Sequence, residues 1–201
     1  MELREALVQI AEIRRHMAKS DVFRGYRSAP VALSGLLALG AAALQARYIP
    51  EPLETPHEYL ALWIGTAALS MAAVAIEMTL RLHHAESRGP WELTRLAVEQ
   101  FLPSVIAGAS ITVVLARQSP ANLALLPGLW QILFSLGIFA SARLLPRPLF
   151  GIGAFYMCAG IVMVSLARTT LSLDPWAMGV PFAIGQLASA GVLYWTLERR
   201  G

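Results

Sequence analysis

Six apolar stretches, each about the ~20 residues that a helix needs to cross the hydrocarbon core of a bilayer, run through this 201-residue chain. They are Pro30 to Ala46, Tyr59 to Leu80, Leu96 to Ala116, Leu123 to Ala142, Pro148 to Ala167 and Trp176 to Leu197. Backbone polar groups inside a bilayer must be paired within the segment that carries them, so such stretches fold as helices. The expected fold is all-α: residues 29–201 form a polytopic bundle of six transmembrane helices, which short connections set as three antiparallel hairpins. Composition agrees, since 56% hydrophobic and 14% charged residues is a mix that a soluble domain of this size could not hide from water.

Charge sets the expected orientation. With six spans both ends share a side, and that side collects Arg4, Arg14, Arg15, Lys19, Arg24, Arg27, Arg81, Arg88, Arg95, Arg143, Arg147, Arg199 and Arg200, thirteen of the sixteen basic residues. Only Arg47, Arg117 and Arg168 fall opposite, where the first loop is acidic through Glu51, Glu54 and Glu58. Basic loops are retained in the cytoplasm, so both termini are expected there. The same arginines account for the net charge of +3 and point to anionic lipid head groups as a partner, with no nucleic acid implied.

Residues 1–28 form a separate unit, a cytoplasmic helix and linker. Leu3, Leu7, Ile10, Ile13 and Met17 recur at helical spacing among Arg4, Glu5, Glu12, Arg15 and Lys19, the pattern of an amphipathic helix lying in the head-group layer. Its near-heptad series Leu3, Leu7, Ile10 and Met17 also offers a docking surface for a protein partner. The segment is charged throughout and has no apolar core, so a cleavable signal peptide is not expected. Cys158 is the single cysteine, which excludes an internal disulfide and a Cys-based metal site. The aromatic residues Tyr48, Trp63, Trp91, Trp176, Tyr194 and Trp195 stand near span ends, where amphipathic rings favour the interface.

A weak internal repeat runs through the spans. Val113-Val114-Leu115-Ala116-Arg117 and Val164-Ser165-Leu166-Ala167-Arg168 close the third and fifth, and Phe134 and Gly137 follow Pro127 at the same offsets as Phe182 and Gly185 follow Pro175. Two-helix units in parallel would follow, an arrangement that transporters use.

Glu77 and Glu99 are the acidic residues well inside apolar spans. Each has an arginine one turn away, Arg81 and Arg95, so Glu77, Arg81, Arg95 and Glu99 form a candidate ion, proton or salt-bridge network near the cytoplasmic boundary. The alternative role is an interfacial pair of salt bridges whose arginines snorkel to lipid phosphate. Pro103 removes the hydrogen bond to the Glu99 carbonyl and adds an acceptor there. Gln131 and Gln186 are candidates for a polar path, and Gln186 follows the helix-bending Pro181; the default for such amides is interhelical hydrogen bonding. The four histidines, His16, His57, His83 and His84, lie in tails and loops, so no metal or haem ligation is expected and no cofactor is assigned. No P-loop, His-Glu-x-x-His motif or nucleophile elbow occurs, so no catalytic residue is assigned and an enzymatic role is left without support in the sequence.

The run Leu126-Pro127-Gly128-Leu129-Trp130, the Leu145-Pro146-Arg147 turn and the stretch from Pro175-Trp176-Ala177-Met178-Gly179 through Gly185-Gln186 to Tyr194-Trp195 resemble bacterial six-helix membrane proteins that have no assigned activity. That resemblance implies a bacterial inner-membrane location. Two functional classes then stand open: a sensory, regulatory or assembly subunit without catalysis, and a small-solute or ion transporter coupled through Glu77 and Glu99.

Overall fold

The computed structural model describes residues 27–83, 89–169 and 173–199, with side chains for all of these except 81–83, 89–94, 120 and 121. The expected amphipathic helix at the start of the chain lies outside the described residues, as does its linker but for the last two positions of the 1–28 unit. Every regular element among the described residues is helical: α1 (Ser28–Tyr48), α2 (Pro56–His83), α3 (Gly89–Gln118), a 3-10 turn (Pro120–Leu125), α4 (Leu126–Ala140), α5 (Leu149–Ser165) and α6 (Pro175–Leu193), which runs on as a π-helical turn (Tyr194–Glu198). Among these residues five helices are long and apolar enough to cross a membrane. The remaining one, α5, is apolar but has 17 residues, about 25 Å at 1.5 Å per residue.

The helix boundaries follow from proline chemistry and caps. Pro56, Pro127 and Pro175 stand in the first turns of α2, α4 and α6, where a missing N–H costs nothing. Asp174 caps α6 by accepting from the Trp176 N–H at 2.9 Å, which satisfies one otherwise orphaned donor. α1 has no cap from its own sequence. Its first N–H, on Ser28, donates at 2.8 Å to Glu198 Oε1 at the far end of the chain, and the Ser28 hydroxyl reaches the same carboxylate. A carboxylate at a helix N-terminus also complements the helix dipole.

The most extensive contacts join α1 to α6 and α4 to α5, followed by α3 on α4 and α2 on α1. Small residues make the two main interfaces possible. α1 and α6 run antiparallel, and a Cβ on Gly179 would fall 2.5 Å from Ala42 Cβ and 3.1 Å from the Ala38 carbonyl oxygen. α4 and α5 cross backbone on backbone, since a Cβ on Gly128 would lie 2.6 Å from the Gly160 oxygen and one on Gly160 2.7 Å from the Gly128 oxygen. Close approach of this kind supplies the dispersion contacts that hold helices together where lipid is as apolar as the interface.

The described helices thus divide into two groups of three, α2–α1–α6 and α3–α4–α5. Contact between the groups is thinner, through α5 on α6 and slight touches of α4 on α6 and α2 on α3. α2 and α3 are the outermost: 11% and 6% of their apolar segments are buried, against 50% for the segment containing α4. They meet around Met78 and Ala97, which pack with Leu144 of the α4–α5 connection.

Candidate polar site within the helix bundle

Each polar side chain that the fold buries has to find a partner inside it, because an unpaired donor or acceptor away from water is costly. Gln45 of α1 is fully buried. Its Nε2 donates to the Leu173 carbonyl at 2.8 Å, and its Oε1 accepts from Trp63 Nε1 of α2 at 2.7 Å. One amide thereby joins α1, α2 and the approach to α6. Trp63, expected at the membrane interface, is 4% exposed because its indole N–H is taken by this amide. Tyr48, Trp176, Tyr194 and Trp195 are exposed. Trp130 Nε1 of α4 donates to Thr112 Oγ1 of α3 at 2.9 Å, while that hydroxyl donates to the Gly108 carbonyl.

Deeper in, the contacts centre on Pro181. Proline has no N–H, so the carbonyl four residues earlier, that of Ala177, loses its helical donor. Gln131 of α4 supplies one: its Nε2 lies 3.3 Å from the Ala177 oxygen. Just past the proline, Tyr156 of α5 donates to the Phe182 carbonyl at 3.2 Å. A Cβ at Gly185 would collide with the Tyr156 ring, as one at Gly137 would with Phe101, 2.7 Å from its Cδ2. Each glycine therefore seats an aromatic ring from the preceding helix. Phe134 packs with Phe101, Tyr156 and Phe182, at ring-centroid distances of 5.4, 4.9 and 5.6 Å.

Three acceptors in this region have no hydrogen-bond partner among the described residues: Gln100 Oε1, Gln131 Oε1 and Ser135 Oγ. Gln131 and Ser135 are both fully buried and stand one helical turn apart. The pairing of Gln131 with Ala177 and of Phe134 with Phe182 shows that α4 and α6 run parallel here. Ser135 accordingly sits level with Pro181. Gln186, the other amide of the expected path, is half-buried and faces α1, its Cβ 3.2 Å from where a Cβ on Gly35 would stand.

The charged candidates stand toward the other end of α2 and α3. Arg95 Nε donates to Glu99 Oε1 at 2.6 Å, with both side chains largely exposed. Glu77 approaches Arg27 Nε at 3.9 Å, just before α1 begins; the Arg81 side chain lies outside the described residues. Among the described side chains, Glu77 thus approaches Arg27 and Glu99 pairs with Arg95. The Arg27 approach could not be read from spacing, because it joins residues fifty positions apart. The Gln131–Ala177 bond was within reach of sequence reasoning, since Pro181 marks the freed carbonyl, but the sequence does not say which amide turns toward it. Among the described residues no group of His, Cys, Asp and Glu side chains could hold a metal ion. No family model matches this chain, and neither a curated protein nor a solved structure matches it.

Proposed function

We propose that this chain is a six-span protein of the bacterial inner membrane, threaded as three antiparallel hairpins with both termini cytoplasmic, and that it acts as a non-catalytic sensory, regulatory or assembly subunit. The observation that supports this reading is the use of its buried polar groups. Gln45, Trp63, Thr112, Trp130, Gln131 and Tyr156 bond to neighbouring helices or to the segments joining them, which is interhelical attachment. Glu99 is held in an exposed ion pair. Partner contact then falls to the Arg-rich cytoplasmic side: anionic lipid head groups for the arginines and a protein partner for the helix of residues 1–28.

The second reading is transport of a small solute or ion, with Glu77 and Glu99 as coupling site. It draws on Gln100 Oε1, Gln131 Oε1 and Ser135 Oγ, which lie inside the spans without partners among the described residues. Reconstitution separates the two. Proteoliposomes carrying the full chain under a proton or monovalent-cation gradient should leak no faster than protein-free vesicles. Gradient-driven flux that Glu77→Gln or Glu99→Gln abolishes, with the protein still folded, would replace the subunit reading by transport. Orientation is checked separately: a reporter active only in the cytoplasm should give signal when fused after Gly201 and when placed before Met1.

A further inference from the structure

Three features converge where α6 meets α4 and α5. The contact there joins the two three-helix groups and is thinner than the contacts inside either group. Two of the hydrogen bonds that cross it run to backbone carbonyls of α6 on either side of Pro181, from Gln131 Nε2 to Ala177 at 3.3 Å and from Tyr156 Oη to Phe182 at 3.2 Å. Both are long for their type. Beside them Gln131 Oε1 and Ser135 Oγ are buried with no partner among the described residues. The closed seam therefore holds two buried polar atoms whose hydrogen-bonding capacity the described residues leave unused, beside the carbonyl that Pro181 frees for Gln131.

From this juxtaposition we infer that the molecule opens along the seam between α2–α1–α6 and α3–α4–α5, admitting water to Gln131 and Ser135 near the middle of α4. Packed interfaces switch between discrete arrangements more readily than they deform. Here the closed arrangement is favoured by the Phe134, Tyr156 and Phe182 rings and the two cross-seam bonds. The open one is favoured by hydration of Gln131 Oε1, Ser135 Oγ and the Ala177 carbonyl. Within each group the close approaches of Gly179 on Ala42 and Gly128 on Gly160 let three helices move as one body. Such a movement is independent of the choice between subunit and transporter, since either could use it.

The test is thiol accessibility in the full chain, reconstituted in liposomes. Cys158 is first replaced by Ser, and Ser135→Cys then introduces a near-isosteric thiol at the seam. A charged, membrane-impermeant thiol reagent should label Ser135→Cys slowly, against rapid labelling of Arg143→Cys at an exposed position of the α4–α5 connection. Tyr156→Phe removes one of the bonds that cross the seam while leaving Gln131 Oε1 in place, and should raise the Ser135→Cys rate about fivefold to tenfold, the equivalent of one hydrogen bond. Gln131→Asn, whose shorter amide falls away from Ala177 but keeps an oxygen to hydrate, should act in the same direction and serves if Tyr156→Phe is not monodisperse. A Ser135→Cys thiol that stays unlabelled while Arg143→Cys reacts, or one whose rate neither Tyr156→Phe nor Gln131→Asn changes, would overturn the inference.

Discussion

Gln131 donates to Ala177, the one carbonyl of α6 that Pro181 deprives of its helical donor, so a side chain of α4 completes the backbone ladder of a different helix. The two residues that make this necessary and possible, Pro181 and Gln131, should be energetically coupled. In Pro181→Ala the new N–H can satisfy Ala177 from within the helix. Gln131→Leu should then cost about 1 kcal/mol less in that background than beside Pro181, the net worth of one hydrogen bond. A double-mutant cycle on unfolding in detergent measures it, and an interaction energy of zero would show that the Gln131 amide does not serve the freed carbonyl.

Trp63 and Tyr59 make a paired prediction. Trp63→Phe leaves Gln45 Oε1 buried without its donor, at a cost of about 1–3 kcal/mol. The Tyr59 hydroxyl is buried and has no partner among the described residues, so Tyr59→Phe should be neutral or stabilising. Thermal unfolding of the two variants in the same detergent gives the comparison, and equal losses would contradict it.

Glycine substitutions should divide by position. Gly128→Ala and Gly160→Ala drive a methyl group into the facing backbone of the α4–α5 crossing, where neither main chain can step aside, and should cost about 2 kcal/mol or more. Gly151→Ala has open space within 4 Å and should be neutral or gain up to about 1 kcal/mol from helix propensity. Melting temperatures of the three variants check the order.

Glu77→Gln should be tolerated. The carboxylate lies 3.9 Å from Arg27 with both side chains partly exposed, a geometry in which an ion pair contributes about 0–1 kcal/mol. An amide keeps the shape, and Arg27 can reach lipid phosphate instead. Loss of insertion or folding in this variant, read from membrane fractionation and gel filtration, would show that the carboxylate is structurally required.

Helix positions were legible because apolar length is a local property of the sequence: the stretches expected at Tyr59 to Leu80 and Leu96 to Ala116 lie within α2 and α3. The Arg95–Glu99 pair was legible for the same reason, being one turn apart on one helix. What spacing could not supply was partnership between helices. Trp63 looks interfacial by position, yet Gln45 draws it inside. Gln186 stands on the helix that Pro181 bends, but Gln131 bonds to the freed carbonyl because α4 turns that face toward Ala177. The pairing of α1 with α6 was invisible as well, since Gly35, Ala38 and Ala42 mark a close-packing face without naming what packs on it.

The bond from Ser28 to Glu198 spans 170 residues of chain and lies at the end of α1's most extensive interface. At about 5–20 residues per second of synthesis, roughly ten to thirty seconds separate the emergence of its two partners. During that interval α1 stands in the membrane with its small-residue face bare and its first N–H groups uncapped. The first helix therefore gains both its cap and its principal packing partner only when the last helix has been made.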